Sequence, residues 1–268
     1  NPRLRVYANG WGASQPPDEV AQRAAAVVAK GFTALKFDPF SGPWRAYIDR
    51  SQEDEAVERV RAVREAVGPD VEILVEVHRR LAPMHAVRVA KAMEPYRPYW
   101  FEEPVSSRDV DSLAEARREI SLPVVTGEEL YTKIEFTEVI EKRAADILNP
   151  DVCNCGGIME LREIAAMAEA RHIAVSPHNY NSTTIGLAAT LHAASGMPNF
   201  LITEYFVNFE EVGMEIARPP FKVENSYIEL SSEPGLGIEL DEQALRARPF
   251  KQRERRNLAL AADHFKPQ

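Results

Sequence analysis

The sequence predicts a parallel α/β barrel closed by about eight strands, on three observations. Eight short β-rich runs alternate with stretches of helical periodicity up to about residue 206. That alternation favours a parallel sheet, and eight units favour closure over an open doubly wound sheet. A length of 268 residues suits one such domain around one core. No GxGxxG follows the first run, which argues against a dinucleotide-binding sheet.

In chain order the strand runs are LRVYANG (4–10), TALKFDP (33–39), EILVEVH (72–78), YWFEEP (99–104), PVVTGE (123–128), DILNPDV (146–152), IAVSPH (173–178) and LITEYF (201–206). Between them lie PDEVAQRAAAVVAKG (17–31), QEDEAVERVRAVREAVG (52–68) and GIMELREIAAMAEARH (157–172). Their apolar residues recur every three or four positions with charges opposite, so each is an amphipathic helix packed outside the sheet. Pro16, Pro17 and Asp18 suit a helix start, and Gly31 and Gly68 fall where helices stop. Beyond residue 215 the alternation dissolves into Pro- and Gly-bearing sequence such as ARPPF and EPGLGIEL. The domain reading is therefore a barrel over 1–215 and a segment over 216–268 packing on it.

Composition narrows the function. Hydrophobic residues make up 45% and charged residues 27%, which excludes disorder, and no apolar run approaches the ~18 residues of a membrane helix. The start lacks a secretory pattern, so the cytoplasm is the expected location. A formal charge of −9 argues against nucleic acid as partner and for a small ligand. Cys153 and Cys155 are the only cysteines; one residue apart, they make neither a disulfide framework nor a complete thiolate metal site, and small buried hydrophobes are expected.

The chemistry sits at the strand ends. Glu76, Glu102 and Glu128 close three consecutive runs at spacings of 26 and 26 residues. A strand, a helix and two loops need about that length, so the three acids aim at one point on the open face of the barrel. A lone acid there is more often solvated or ion-paired, but three in register suit a hard divalent cation with positions left for substrate. Glu103 and Glu129 adjoin two of them, and strand alternation directs neighbours to opposite faces, so the first of each pair is the expected ligand. The series continues with Asp151, His178 and Glu204 at intervals of 23, 27 and 26. His178 beside Asp151 forms a dyad in which the carboxylate orients and activates the imidazole for proton abstraction. His78, two residues past Glu76, returns to the site face. His85, His172, His192 and His264 have helical or terminal settings and are expected to be structural or solvated.

The motifs TALKFDPF, EVHRRL, EPYRPYWFEEPV, TGEELY, NPDVCNCGGI, IAVSPHNY and LITEYF occur in order over nearly the whole chain. In this the sequence resembles the enolase superfamily, in particular the mandelate racemase-like acid-sugar dehydratases. The resemblance implies a (β/α)7β barrel binding one Mg²⁺ through Glu76, Glu102 and Glu128. It implies His178 as base with Asp151 as its partner, Glu204 as a last-strand group that binds substrate or stabilises the enolate, and His78 as the acid expelling the β-hydroxyl. Lys36 and Asp38 become candidate substrate-binding residues. The implied reaction is abstraction of the α-proton of a sugar acid and loss of the 3-hydroxyl to a 2-keto-3-deoxy acid. Alternatives are a racemase or epimerase and a non-catalytic metal-binding barrel. Members with Lys-x-Lys on the second strand use the second lysine as an opposite-face base, whereas this chain has Lys36-Phe37-Asp38, which weakens the racemase reading. The first ligand is usually Asp, and Glu76 is one methylene longer. The family's α+β capping domain, which precedes the barrel, is absent from these 268 residues, and little turnover is expected of the 1–268 polypeptide alone. Assembly into homo-oligomers is also expected.

Overall fold

Period-2 apolar patterning places eight short strands in one parallel ring: β1 (Arg3–Asn9), β2 (Ala34–Phe37), β3 (Glu72–Glu76), β4 (Trp100–Glu102), β5 (Val124–Thr126), β6 (Ile147–Leu148), β7 (Ala174–Val175) and β8 (Thr203–Phe206). The computed structural model describes residues 2–180 and 182–252. Consecutive strands pair in parallel from β1 to β7, and β8 pairs in parallel with β1 from Val6↔Thr203 to Asn9↔Phe206. A parallel bridge between Val175 and Phe200, with Leu201 N–H donating to the Val175 carbonyl at 2.9 Å, joins β7 to the approach of β8 and closes the ring. The predicted barrel is thus the observed one.

Every strand after β1 is shorter than its run. The last residues of the fifth, sixth and seventh runs lie past the strand ends, carrying Glu128 into the β5 turn and leaving Asp151 and His178 joined by one isolated parallel bridge. The helices α1 (Pro17–Val28), α2 (Arg50–Val67), α3 (Pro83–Met93), α4 (Val110–Glu119), α5 (Thr132–Glu141), α6 (Val152–Cys155), α7 (Ile158–Glu169) and α8 (Thr183–Ser195) follow strands one to seven. Pro17 opens α1, where its missing N–H costs nothing, and Gly68 ends α2 at φ +80°. Apolar faces of these helices pack on outward strand residues such as Leu35, Val75 and Phe101.

The inward side chains form layers, and these position the site. Tyr7, Ala34, Leu74, Trp100, Val125, Ile147 and Ile202 fill one apolar layer. Trp100 meets Tyr7 edge-on with centroids 5.5 Å apart. Moving two residues along each strand keeps the side chain facing inward. From Ala34, Leu74, Trp100, Ile147 and Ile202 that step reaches Lys36, Glu76, Glu102, Asn149 and Glu204, all buried. The apolar layer is therefore the floor of a polar one.

After β8 come α9 (Glu210–Ile216), a two-stranded ribbon of β9 (Ala217–Arg218) with β11 (Glu239–Leu240), and β10 (Tyr227–Glu229), which pairs antiparallel with the start of β1 from Arg3↔Glu229 to Arg5↔Tyr227. His264 lies outside the described residues. Cys155 is buried as expected, and burial, then Asp151, pushes its thiol up to about 12. Cys153 corrects the expectation: α6 is a single turn, and this cysteine is exposed. Among the described residues no helix is long and apolar enough to cross a membrane.

Candidate active site

The three spaced glutamates converge. One oxygen from each of Glu76, Glu102 and Glu128 lies within 4.8 Å of the others, and all three residues are buried. A hard divalent ion with bonds of about 2.0–2.6 Å holds oxygens as much as about 4–5 Å apart, so the trio fits one ion. Glu76 Oε2 is buried and makes no hydrogen bond, with the Lys36 ammonium 3.4 Å away, which leaves it able to ligate a cation. Its other oxygen accepts from the His78 backbone N–H at 2.6 Å. Glu102 is clamped on both oxygens, Oε1 by Lys36 Nζ at 2.6 Å and Asn149 Nδ2 at 3.0 Å, and Oε2 by Trp100 Nε1 at 2.9 Å.

Lys36 is the buried counter-charge. Its ammonium lies 2.6 Å from Glu102, 3.4 Å from Glu76 and 3.3 Å from Glu204. Burial alone would depress its pKa, but Glu102 and Glu204 outweigh it and the group stays charged. Burial raises Glu102 well above the carboxylate range, and neighbouring Glu76 raises it further. Burial also raises Glu76, yet His78 and Lys36 carry it below the usual range. Such a set of close like charges is expensive unless a cation is near.

His178 lies three residues past β7, with Nδ1 2.7 Å from Asp151 Oδ2. Asp151 is the N-cap of α6, where Oδ1 accepts from Cys153 N–H at 2.8 Å. The cap fixes the carboxylate and the carboxylate fixes the ring. His178 Nε2 then stands 3.2 Å from Glu128 and 3.5 Å from Glu204. Burial disfavours the imidazolium, but Glu204, Glu128 and Asp151 raise the group to about 9. Glu204 accepts from Asn179 N–H at 2.8 Å and Asn9 Nδ2 at 2.5 Å; against burial, Lys36 and His178 hold it at about 2.

On the β2–β3 side, His78 Nδ1 lies 2.7 Å from Asp38 Oδ2, and Arg80 also donates to that oxygen. Asp38 Oδ1 accepts from Phe40 N–H at 2.9 Å. Both oxygens of Asp38 are thus engaged within the protein. All nine sequence-selected residues line one end of the barrel. The helical histidines are elsewhere: His85 is buried against Glu53 at 2.6 Å, His172 is exposed, and His192 is half-buried on α8.

Alternation fails at Glu103. Its φ is +49°, and its buried carboxylate turns to β5, where Oε1 accepts from Thr126 Oγ1 and Gly127 N–H, both at 2.8 Å. It braces the turn that presents Glu128; burial and Glu128 raise it to about 7. Sequence reasoning also passed over Arg79, which pairs with Glu128 at 2.5 Å and Glu129 at 2.9 Å, although the Arg79-Arg80 doublet follows His78 directly. A cavity of about 410 Å³ opens here, lined by Arg79, Arg108, Glu129, Tyr131 and His178 among others.

Gly127 makes the β5 turn possible. At φ +133°, a β-carbon there would meet Phe136 Cε1 at 2.6 Å. Gly127→Ala is expected to cost about 2–4 kcal/mol through overpacking and backbone strain, and to weaken divalent-cation binding by shifting Glu128. Denaturant melts and calorimetric cation titration check both.

Comparison with known proteins agrees with this geometry. Residues 19–244 match the family model for the enolase C-terminal domain-like fold. A D-gluconate dehydratase of Thermoproteus tenax is 38% identical over 91% of this chain and 49% of its own length. A D-gluconate/D-galactonate dehydratase of Picrophilus torridus is 35% identical over 91% of this chain and 62% of its own. The chain thus spans about half to two thirds of these relatives. A crystal structure of a mandelate racemase/muconate lactonizing enzyme from Jannaschia sp. CCS1 superposes with a TM-score of 0.85 at 32% identity, over 94% of this chain and 67% of that one. With a match across most of its length and the strand-end acids in place, the chain belongs to the enolase C-terminal domain-like family.

Proposed function

We propose that this chain is the catalytic barrel of a Mg²⁺-dependent sugar-acid dehydratase, which removes the α-proton of an aldonate or aldarate and expels its 3-hydroxyl to give a 2-keto-3-deoxy acid. The observation that carries the reading is His178, held by Asp151 at 2.7 Å and pointing Nε2 at the glutamate cluster. Dehydratase relatives at 35–38% identity support the substrate class.

A proton α to a carboxylate is very weakly acidic, so a base alone does not suffice. Held by Glu76, Glu102 and Glu128, Mg²⁺ would supply Lewis acidity toward the substrate carboxylate and 2-hydroxyl. Lys36, already charged within the cluster, adds a cation where the enediolate's charge develops. Neutral His178 takes the α-proton on Nε2, and Asp151 stabilises the imidazolium that results. Glu204, fixed by Asn9 and Asn179, receives a substrate hydroxyl. His78 protonates the departing 3-oxygen. Homo-oligomeric assembly and a cytoplasmic setting belong to the same proposal.

The test is incubation of the full-length protein with Mg²⁺ and a panel of aldonic and aldaric acids in D₂O. A 2-keto-3-deoxy product supports dehydration. α-Deuterated substrate epimerised at C2 with no keto product points to an epimerase, and recovery of unlabelled substrate throughout points to a binder.

A further inference from the structure

We propose that Asp38 is a positioning residue, which locks His78 so that Nε2 is the nitrogen that delivers a proton. This rests on the dehydratase reading above and assigns Asp38 a role other than substrate contact. His78–Asp38 is then a second carboxylate–imidazole pair, past the ends of β2 and β3, with His178–Asp151 past the ends of β6 and β7 on the opposite side of the eight-stranded ring.

The geometry leaves the imidazole little freedom. Asp38 Oδ2 can only accept, and at 2.7 Å it requires a hydrogen on His78 Nδ1. Arg80 Nη2 is 3.4 Å from the same nitrogen, but a guanidinium only donates, so with Nδ1 protonated that approach is not a bond. Arg80 instead anchors the carboxylate, through Oδ2. It is fixed in turn by Nε donating to the Val77 carbonyl at 2.7 Å and by packing over Trp44 at 4.7 Å and Phe40 at 5.5 Å. Trp44 also stacks on the His78 ring, with centroids 5.0 Å apart and planes 22° from parallel. One face of the ring is therefore covered and one nitrogen committed. The His78 side chain keeps 32% of its surface exposed, and none of its hydrogen bonds among the described residues engages Nε2.

Backbone strain accompanies this placement. His78 and Arg79 take φ values of +52° and +55°, in the left-handed region that non-glycine residues seldom occupy. Such strain persists where surrounding contacts over-determine it. Here the turn brings His78 Nδ1 onto Asp38 while the His78 amide N–H binds Glu76.

In the elimination the Cβ–O bond breaks as the enediolate's electron pair closes the Cα=Cβ bond. The oxygen takes the Nε2 proton and leaves as water. His78 is left neutral with its hydrogen on Nδ1, the tautomer Asp38 binds, and the resulting enol tautomerises to the keto acid. Without Asp38 the ring is free to rotate or to carry its hydrogen on the wrong nitrogen.

Two measurements on the full-length protein decide the matter. The first is ¹⁵N NMR of the His78 imidazole, assigned by loss of its signals in His78→Gln. The neutral ring is expected to carry hydrogen on Nδ1 in the wild type and to lose that preference in Asp38→Asn, whose single acceptor faces three donors. A wild-type ring with hydrogen on Nε2 overturns the proposal, and this arm needs neither turnover nor a folded Asp38 variant. The second is turnover of D-gluconate with Mg²⁺ in D₂O. Asp38→Asn is expected to lower dehydration at least ~10-fold at nearly unchanged KM, while α-deuterium exchange by His178 continues at no less than the wild-type rate. Adding Asp38→Asn to His78→Gln should cost nothing further. Exchange and dehydration falling by one common factor, or dehydration unchanged, would sink it. Absence of turnover with every sugar acid defeats the dehydratase reading instead, and leaves the tautomer measurement to decide the pairing.

Discussion

His178→Gln is expected to lower both α-deuterium exchange and formation of keto acid by about 10²–10⁴-fold, with Mg²⁺ affinity retained. Glutamine nearly fills the space but has no nitrogen that can take a proton. Loss of both readouts together separates this position from His78, whose loss should spare exchange. The pH dependence has a definite sign. Glu204, Glu128 and Asp151 hold the imidazolium up to about 9, and only the neutral ring is a base, so kcat/KM should rise with pH through this group's ionisation. A cation sharing Glu128 withdraws part of that carboxylate's attraction, which places the ascending limb below 9 in the Mg²⁺ form. The variant should lack that limb. NMR of recovered substrate beside a keto-acid assay measures all of this, and exchange at the wild-type rate in His178→Gln would remove this histidine from the mechanism.

Glu102→Gln is expected to weaken Mg²⁺ binding by more than ~100-fold, since loss of a direct ligand should exceed the 10–100-fold typical of residues supporting one. Both oxygens of Glu102 already accept from donors: Lys36 and Asn149 on one side, Trp100 on the other. A glutamine must turn its NH₂ toward one of those sides, leaving a buried donor unsatisfied at a cost of about 1–3 kcal/mol. The clearer readout is thermal. At an Mg²⁺ concentration of about 100 times Kd, binding stabilises the wild type by about 2.7 kcal/mol. That stabilisation should vanish in the variant. A melting shift of wild-type size with Mg²⁺ would exclude Glu102 as a ligand.

The residues of the glutamate cluster were legible because a parallel barrel translates sequence spacing into spatial convergence. Glu76 and Glu102 end adjacent strands and pair in register, so their 26-residue interval became a lateral contact. The same translation carried Asp151 to His178, which share a parallel bridge. Reasoning faltered where the backbone leaves the regular pleat. Glu103 at φ +49° faces the neighbouring strand rather than the outer helices. Cys153 is exposed because α6 spans one turn, too short for periodicity to inform.

Local pattern by itself determined the barrel, the order of its strands and which residues stand at their open ends, because side-chain alternation and strand–helix periodicity are properties of neighbours along the chain. Tertiary structure alone decided the partners that spacing does not convey. Arg79 reaches across 49 residues to Glu128, His78 across 40 to Asp38, and Asn9 across 195 to Glu204. Contacts of that range depend on loop conformations, left-handed turns and charge balance in a buried volume, and these are settled only when the ring has closed.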